Sequence, residues 1–173
     1  MGTVFYEAYL ATQTVLRHRW PRGVLHGGFP KGRISVLLGA HGTGKSVISL
    51  NFLYRNAQRG IPGLLVSFEE DAAAIRRNAS AMGWDLEALE EENKLAILTF
   101  DIGTDVVLAG DFDLLATVEI IKQKAQSIQA ELCVLDAFDW LLGLYASDQD
   151  RRLHLLRLHR AWGDQQLTTL FTV

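Results

Sequence analysis

Eight consecutive residues combine the side chains and the backbone freedom that phosphate binding requires. They are Gly39-Ala40-His41-Gly42-Thr43-Gly44-Lys45-Ser46, which match the pattern G-x-x-x-x-G-K-[ST] at every required position. The glycines allow backbone angles closed to other residues, so that successive N–H groups can turn toward an anion. Lys45 can reach the β- and γ-phosphates of a nucleotide, and the Ser46 hydroxyl can ligate Mg²⁺. The pattern predicts that all eight residues bind a nucleotide; a chance glycine-rich turn is the alternative.

The residues on either side of this loop predict the elements that hold it. An apolar run with strand character, Arg33 to Leu38, precedes the loop, and a helical pattern, Val47 to Tyr54, follows it. A helix N-terminus carries about half a positive charge and several unpaired N–H groups, both of which favour an anion. Strand, loop and helix together are the context that this motif requires.

Asp136 is a second candidate for the metal chemistry of a nucleotide site. It ends an apolar run, Leu132-Cys133-Val134-Leu135. A carboxylate at such a strand end can hold Mg²⁺ beside a phosphate loop. Apolar strands that end in Asp are common, so the pattern carries weight only because the phosphate loop precedes it. Asp139 is a rival acid, but it lies past the strand end, where we expect a surface or capping role.

Two adjacent acids, Glu69 and Glu70, follow the second predicted strand in the segment Ser67-Phe68-Glu69-Glu70. In an open α/β sheet, ligands bind at that edge. A carboxylate there can orient and deprotonate a water molecule for attack on the γ-phosphate. Alternatively, Glu69, Glu70 and Asp71 serve the N-terminus of the next helix, where acids are favoured by roughly 0.3–1 kcal/mol. The pattern leaves both roles open.

Strands and helices alternate along the chain, which predicts a three-layer, doubly wound α/β domain with a mainly parallel sheet. The predicted strands are 33–38, 63–68, 95–100, 132–135 and 167–173. The predicted helices are 47–59, which ends at Gly60, 72–82, which is capped by Asp71 and ends at Gly83, 114–128 and 148–162. We assign residues 1–32 to an N-terminal segment that ends in a loop over 27–32, and residues 33–173 to the nucleotide-binding core.

Composition limits the remaining classes of function. The chain has 173 residues, of which 49% are hydrophobic, a net charge of −3 and one cysteine, Cys133. This length suits one α/β domain with a proper core. We find no run of membrane-span length and no signal-peptide pattern, so we expect a cytoplasmic protein without membrane contact. The net charge does not favour nucleic-acid binding, and Cys133 is expected in the core.

Several segments together resemble the KaiC family of RecA-like P-loop ATPases. They are Leu25-His26-Gly27-Gly28-Phe29-Pro30-Lys31-Gly32-Arg33, the phosphate loop, Asn51-Phe52-Leu53-Tyr54, the run Pro62 to Glu70, and Met82-Gly83-Trp84-Asp85-Leu86. The resemblance implies a RecA-like core, ATP binding, and slow, Mg²⁺-dependent hydrolysis to ADP and phosphate, with Glu69 or Glu70 as the catalytic base. It also implies a ring-shaped homo-oligomer, usually a hexamer, with ATP between subunits.

Three features depart from the family pattern. Residues 17–23 lack the acid that the family normally has before its Gly-Gly loop, and Ala137 stands where the family often has Ser. The family's domain also continues beyond the strand that ends at Val173. We therefore expect the core to be C-terminally incomplete, without the later strands and the basic residues that reach into a neighbour's site.

Four functions fit these observations. The leading one is an ATP-binding RecA-like domain whose slow hydrolysis is coupled to conformation or assembly. The main alternative is a non-catalytic nucleotide-binding signalling module, whose protein partner the sequence does not identify. We rank two others lower, a P-loop small-molecule kinase with Asp148–Arg152 as its lid and a DNA-strand-exchange protein. The Ser67–Glu70 segment suits water activation better than a phosphate acceptor, and the charge gives DNA binding little support.

Overall fold

The computed structural model describes residues 13–15, 28–100, 114–143, 147–162 and 167–173. Within these ranges the strands are β1 (Gln13–Val15), β2 (Gly28–Pro30), β3 (Ile34–Leu37), β4 (Gly63–Ser67), β5 (Leu95–Thr99), β6 (Leu132–Asp136) and β7 (Thr168–Thr172). The helices are α1 (Lys45–Ala57), α2 (Ala72–Ala81), α3 (Leu86–Glu91), α4 (Leu114–Ser127), α5 (Phe138–Gly143) and α6 (Asp148–Trp162).

Five of the strands form one sheet in the order β3-β7-β6-β4-β5, and every adjacent pair is parallel. Parallel neighbours need crossover connections, and each crossover here contains at least one helix. The predicted doubly wound, mainly parallel α/β fold is therefore confirmed. The order also places β7 between the phosphate-loop strand β3 and the strand β6 that ends in Asp136, which brings the carboxyl ends of all three strands to one edge.

Helices cover both faces of this sheet. Leu64 and Val66 of β4 pack on one side with residues of α4, α5 and α6, whereas Leu65 packs on the other side with residues of α1, α2 and α3. This alternation follows from the two-residue period of a strand. All residues of β4, β6 and β7 are buried, as is typical of parallel strands covered on both faces. The two helix layers thus hold the strand ends in fixed positions.

The segment before β3 differs from its prediction. The loop predicted over 27–32 is wrong at Gly28–Pro30, because these residues form β2 and pair with β1 in an antiparallel ladder. Glycine and proline are typical of loops, but a proline is tolerated at a strand end, where its missing N–H matters least. Phe29 is buried and its ring meets that of Phe52 edge-on at 5.2 Å. The described end of the N-terminal segment therefore packs on α1.

The predicted helix ends are confirmed at Gly60 and Gly83, whose φ angles of 80° and 76° are left-handed. The predicted cap of α2 is also confirmed, since the Asp71 side chain accepts the Ala74 N–H at 2.7 Å. Helices α3 and α5 lie outside the predicted helices. Each has six residues, too few for a helical period to stand out in the sequence. Asp139, the rival acid, lies in the first turn of α5.

Candidate functional site

The predicted phosphate loop connects the carboxyl end of β3 to the N-terminus of α1. Gly42 and Gly44 have φ angles of 75° and 86°, in the left-handed region that favours glycine. Gly39 is required for a different reason, because a Cβ atom there would lie 2.9 Å from Thr43 Oγ1. The Thr43 hydroxyl and N–H both donate to the Ala40 carbonyl, at 2.8 and 3.3 Å. These contacts close the loop into a turn.

The helix behind the loop begins without a side-chain cap. Its N-cap residue is Gly44, and no acid lies in its first turn. The first N–H groups of α1 and the positive end of its dipole are therefore left to an external anion. Ser46 is exposed in this first turn, and His41 is exposed on the loop. The arrangement has the chemistry of a phosphate site, and Ser46 lies where a hydroxyl can serve a metal bound to that phosphate.

The Lys45 side chain folds back over the loop. Its Nζ atom donates to the carbonyl oxygens of Gly39 and Ala40, at 2.7 and 3.2 Å. Carbonyl oxygens are weaker partners for an ammonium group than phosphate oxygens, because hydrogen bonds between two ionised groups are stronger. Lys45 is thus held at the loop, and a phosphate oxygen would accept a stronger hydrogen bond from it than these carbonyl oxygens do.

Asp136 lies at the carboxyl end of β6, which β7 separates from β3, and is 9% exposed. Its Oδ1 atom accepts a hydrogen bond from the Thr172 hydroxyl at 2.6 Å. The same hydroxyl accepts the Ala137 N–H at 2.8 Å, and Ala137 has a left-handed φ of 56°. Next to Thr172, the Val173 carbonyl accepts the Gly39 N–H at 3.1 Å. The end of β7 therefore joins the loop to Asp136.

Thr172 is a residue of this site that the sequence patterns do not predict. The sequence does carry a signal, since Thr172 is a polar residue at the carboxyl end of a predicted strand. Only the strand order shows that this strand lies between β3 and β6, so that its last side chain faces Asp136. The order of the strands along the sequence would instead suggest that β7 lies at an outer edge of the sheet.

Glu69 and Glu70 are both exposed and follow β4, whose last residue, Ser67, is in register with Asp136. Glu70 is held at two points: its N–H donates to Ser67 Oγ at 3.0 Å, and its carboxylate accepts from Asn78 Nδ2 at 3.1 Å. Among the described residues, no hydrogen-bond or ion-pair partner contacts the Glu69 carboxylate. Since Asp71 caps α2, the two glutamates are not needed for that task.

The donor set fits magnesium. A hydroxyl, Ser46, and a carboxylate, Asp136, offer the oxygen ligands that Mg²⁺ prefers, and Thr172 occupies only one of the two carboxylate oxygens. In the described part of the chain, no three His, Cys, Asp or Glu side chains are grouped as a metal site. A cation here would have few protein ligands, which is usual for Mg²⁺ bound together with phosphates and water.

Cys133 lies in the core, as predicted, and has no part in the site. Its side chain in β6 is fully buried, and desolvation raises the pKa of the thiol. A buried protonated thiol is neither a nucleophile nor a metal ligand.

Comparison with known proteins agrees with this geometry. Residues 23–173 match the family model described as "ATPase: KaiC". The chain is 34% identical over 151 residues to the circadian clock oscillator protein KaiC of Picosynechococcus sp., and 35% identical over 153 residues to that of Parathermosynechococcus lividus. This chain belongs to the KaiC family. The aligned parts cover 86% of this KaiC-family chain but only 29% and 28% of those two proteins.

A solved structure extends the comparison to the fold. The crystal structure of a KaiC-like protein from the hyperthermophilic archaeon Pyrococcus horikoshii superposes with a TM-score of 0.78 and 28% identity, over 94% of this chain and 70% of that one. The KaiC-family chain is therefore a RecA-like P-loop domain of an ATP-binding family, and both the predicted resemblance and the predicted fold are confirmed. No helix in the described ranges has both the length and the apolar composition needed to cross a membrane.

Proposed function

We propose that this KaiC-family domain binds ATP together with Mg²⁺ and hydrolyses it slowly to ADP and phosphate, and that the nucleotide state controls its conformation or assembly. The observation that carries the proposal is the uncapped start of α1 behind a glycine-shaped loop, on the same sheet edge as the buried Asp136. The proposed ATP-binding core comprises residues 33–173, as the sequence indicates.

In the bound state, the backbone N–H groups of residues 39–46 would hold the phosphates. Lys45 would exchange the carbonyl oxygens of Gly39 and Ala40 for phosphate oxygens, which is favourable because both partners are then charged. Ser46 and Asp136 would hold the metal. Magnesium, when bound, neutralises charge on the phosphates and stabilises the charge that develops during transfer.

We assign the role of general base to Glu69. The carboxylate of Glu70 is already committed to Asn78, and its backbone is fixed by Ser67. Glu69 is exposed at the same edge of the sheet, beyond a strand end in register with Asp136, and so can turn toward a bound nucleotide. A base within hydrogen-bond reach of water contributes typically ~10²–10⁴-fold to the rate.

The direct test is the affinity for ATP of the wild-type protein and of Lys45→Ala. We expect the wild type to bind ATP and the variant to lose binding. Lys94→Ala is the matched control, because Lys94 is paired with Glu92 just before β5. It therefore lies at the amino end of that strand, away from the proposed site at the carboxyl ends. Equal ATP affinity in wild type and Lys45→Ala would overturn the assignment of the site.

Further properties belong to the same proposal. The family resemblance implies a homo-oligomeric ring, such as a hexamer, with ATP between subunits. The composition and the sequence patterns indicate a cytoplasmic location without membrane or nucleic-acid binding. A measurement of mass in solution, with and without ATP and Mg²⁺, tests the assembly. We expect a larger mass with both present; a monomer under both conditions would contradict a ring.

A second function, a nucleotide-binding signalling module without turnover, is favoured by one observation. Glu69 has no described neighbour that orients its carboxylate, and an unpositioned base contributes little. Phosphate release from ATP under saturating Mg²⁺ separates the two functions. Release that Glu69→Gln abolishes supports the ATPase, whereas tight ATP binding without release supports the module.

A further inference from the structure

The end of β7 connects the two halves of the proposed ATP site through hydrogen bonds of two successive residues, Thr172 and Val173. The Thr172 hydroxyl lies between Asp136 Oδ1 (2.6 Å) and the Ala137 N–H (2.8 Å). The N–H can only donate, so the single hydroxyl hydrogen is directed to the carboxylate. The neighbouring Val173 carbonyl accepts the N–H of Gly39, whose own carbonyl accepts Lys45 Nζ at 2.7 Å. These hydrogen bonds, together with the backbone between Thr172 and Val173, link Lys45 to Asp136.

The hydrogen bond to Thr172 fixes the Asp136 carboxylate in one orientation. Thr172 is 1% exposed and Asp136 9%, so water does not compete strongly for this bond. A hydrogen bond to an ionised acceptor is stronger than one between neutral groups. Because Oδ1 accepts the hydrogen bond from Thr172, the second carboxylate oxygen, Oδ2, is the one that we expect to bind the metal ion or a water molecule of its shell.

The backbone after Asp136 is shaped around the same hydroxyl. The β6–β7 ladder is in register up to Leu135 and Phe171, and beyond it the Ala137 N–H is satisfied by a side chain instead of a carbonyl. Ala137 has a left-handed φ of 56°, which is unfavourable for a residue with a Cβ atom. Such outliers persist where the surrounding structure holds them, and they concentrate at functional sites. Thr172 is the side chain that holds this one.

We propose that Thr172 is a positioning residue that orients Asp136 for Mg²⁺ and so raises the affinity of the site for the metal. The inference rests on the proposed function, because it requires that Asp136 serves a nucleotide-bound cation. Partners that orient a metal ligand from behind typically change metal affinity by ~10–100-fold. The effect of Thr172 therefore passes through Asp136 and does not require contact with ATP.

Three variants test this role. Thr172→Val removes the hydroxyl at nearly constant volume, and Thr172→Ser retains it. Thr168→Val is the matched control on the same strand: Thr168 is also buried and accepts the Gly32 N–H at 3.0 Å, but it lies at the opposite end of β7. Thr172→Cys replaces Thr172→Val if circular dichroism shows that the valine variant does not fold.

The readout is ATP affinity as a function of Mg²⁺ concentration. We expect Thr172→Val to require roughly tenfold more Mg²⁺ for half of the metal-dependent gain in affinity, or more, with unchanged affinity when Mg²⁺ is absent. Thr172→Ser and Thr168→Val should behave like the wild type. In an Asp136→Asn background, Thr172→Val should have no further effect, because its target carboxylate is gone.

The outcomes separate this inference from the function on which it rests. If wild-type ATP affinity depends on Mg²⁺ and Thr172→Val keeps that dependence, the role of Thr172 is wrong and the proposed function stands. An equal loss in Thr168→Val, or an additive loss with Asp136→Asn, would also overturn the positioning role. If the wild type binds no ATP at all, both proposals are wrong.

Discussion

Glu69→Gln is expected to stop ATP turnover without weakening ATP binding, whereas Glu70→Gln is expected to keep most of the turnover. Glutamine has the shape of glutamate but cannot accept the proton of an attacking water. The contacts distinguish the two positions: Glu70 accepts a hydrogen bond from Asn78, while Glu69 has no partner among the described residues. Among the described residues, no partner occupies the Glu69 carboxylate, which is why we propose Glu69 and not Glu70 as the base.

The magnitudes follow from these contacts. Loss of a general base costs ~10²–10⁴-fold in rate, and each tenfold step is worth about 1.36 kcal/mol, so the barrier should rise by about 2.7–5.4 kcal/mol in Glu69→Gln. In Glu70→Gln the amide oxygen can still accept from Asn78 Nδ2. A hydrogen bond of this type contributes about 0.5–1.5 kcal/mol, so even its complete loss would slow turnover by roughly tenfold at most.

The assay is single-turnover hydrolysis of ATP at saturating Mg²⁺, with the affinity for ATP measured separately. Single turnover separates the chemical step from product release, which limits the rate of many enzymes. Comparable rates in Glu69→Gln and wild type would refute the assignment of Glu69. Equal losses in Glu69→Gln and Glu70→Gln would refute the argument that the hydrogen bond to Asn78 removes Glu70 from the chemistry.

Two further predictions concern stability. A Cβ atom at Gly63 would lie 2.7 Å from the Cδ2 atom of the fully buried Leu53, and we expect Gly63→Ala to lose about 1–3 kcal/mol in thermal unfolding. Gly143→Ala is its control, since no atom of the described residues lies within 4 Å of that Cβ; equal melting temperatures would contradict the close packing. Asp71→Ala should cost about 1 kcal/mol through loss of its cap, roughly 2–4 °C, while Asp71→Asn should keep it. Equal losses in both Asp71 variants would argue against capping.

The fold was accessible from the sequence because its signals are local. The apolar runs that became β4 and β6 and the left-handed glycines after α1 and α2 are each set by a few neighbouring residues. The strand β2 was not accessible, because Gly28 and Pro30 are typical of loops and form a strand only through their pairing with β1. Local composition carries no information about a partner thirteen or more residues away.

The residues of the candidate site likewise fall into those that local sequence patterns predict and those that depend on long-range contacts. The loop and Asp136 could be named from the sequence because each belongs to a contiguous pattern. Thr172 could not, since its position beside Asp136 depends on β7 entering the sheet between β3 and β6. The choice between Glu69 and Glu70 likewise depends on Asn78, which lies on the next helix and reaches back to only one of them. Long-range contacts thus decide the roles that the sequence left open.

Amide hydrogen exchange of the wild-type protein, with and without ATP and Mg²⁺, tests the central claim most directly. The claim is that the backbone N–H groups of Gly39–Ser46 and the first turn of α1 hold the phosphates, and N–H groups bonded to a ligand exchange more slowly. We predict that ATP with Mg²⁺ slows exchange most strongly in peptides covering residues 39–47. ATP binding that leaves these amides unprotected, and protects another part of the chain instead, would contradict the account.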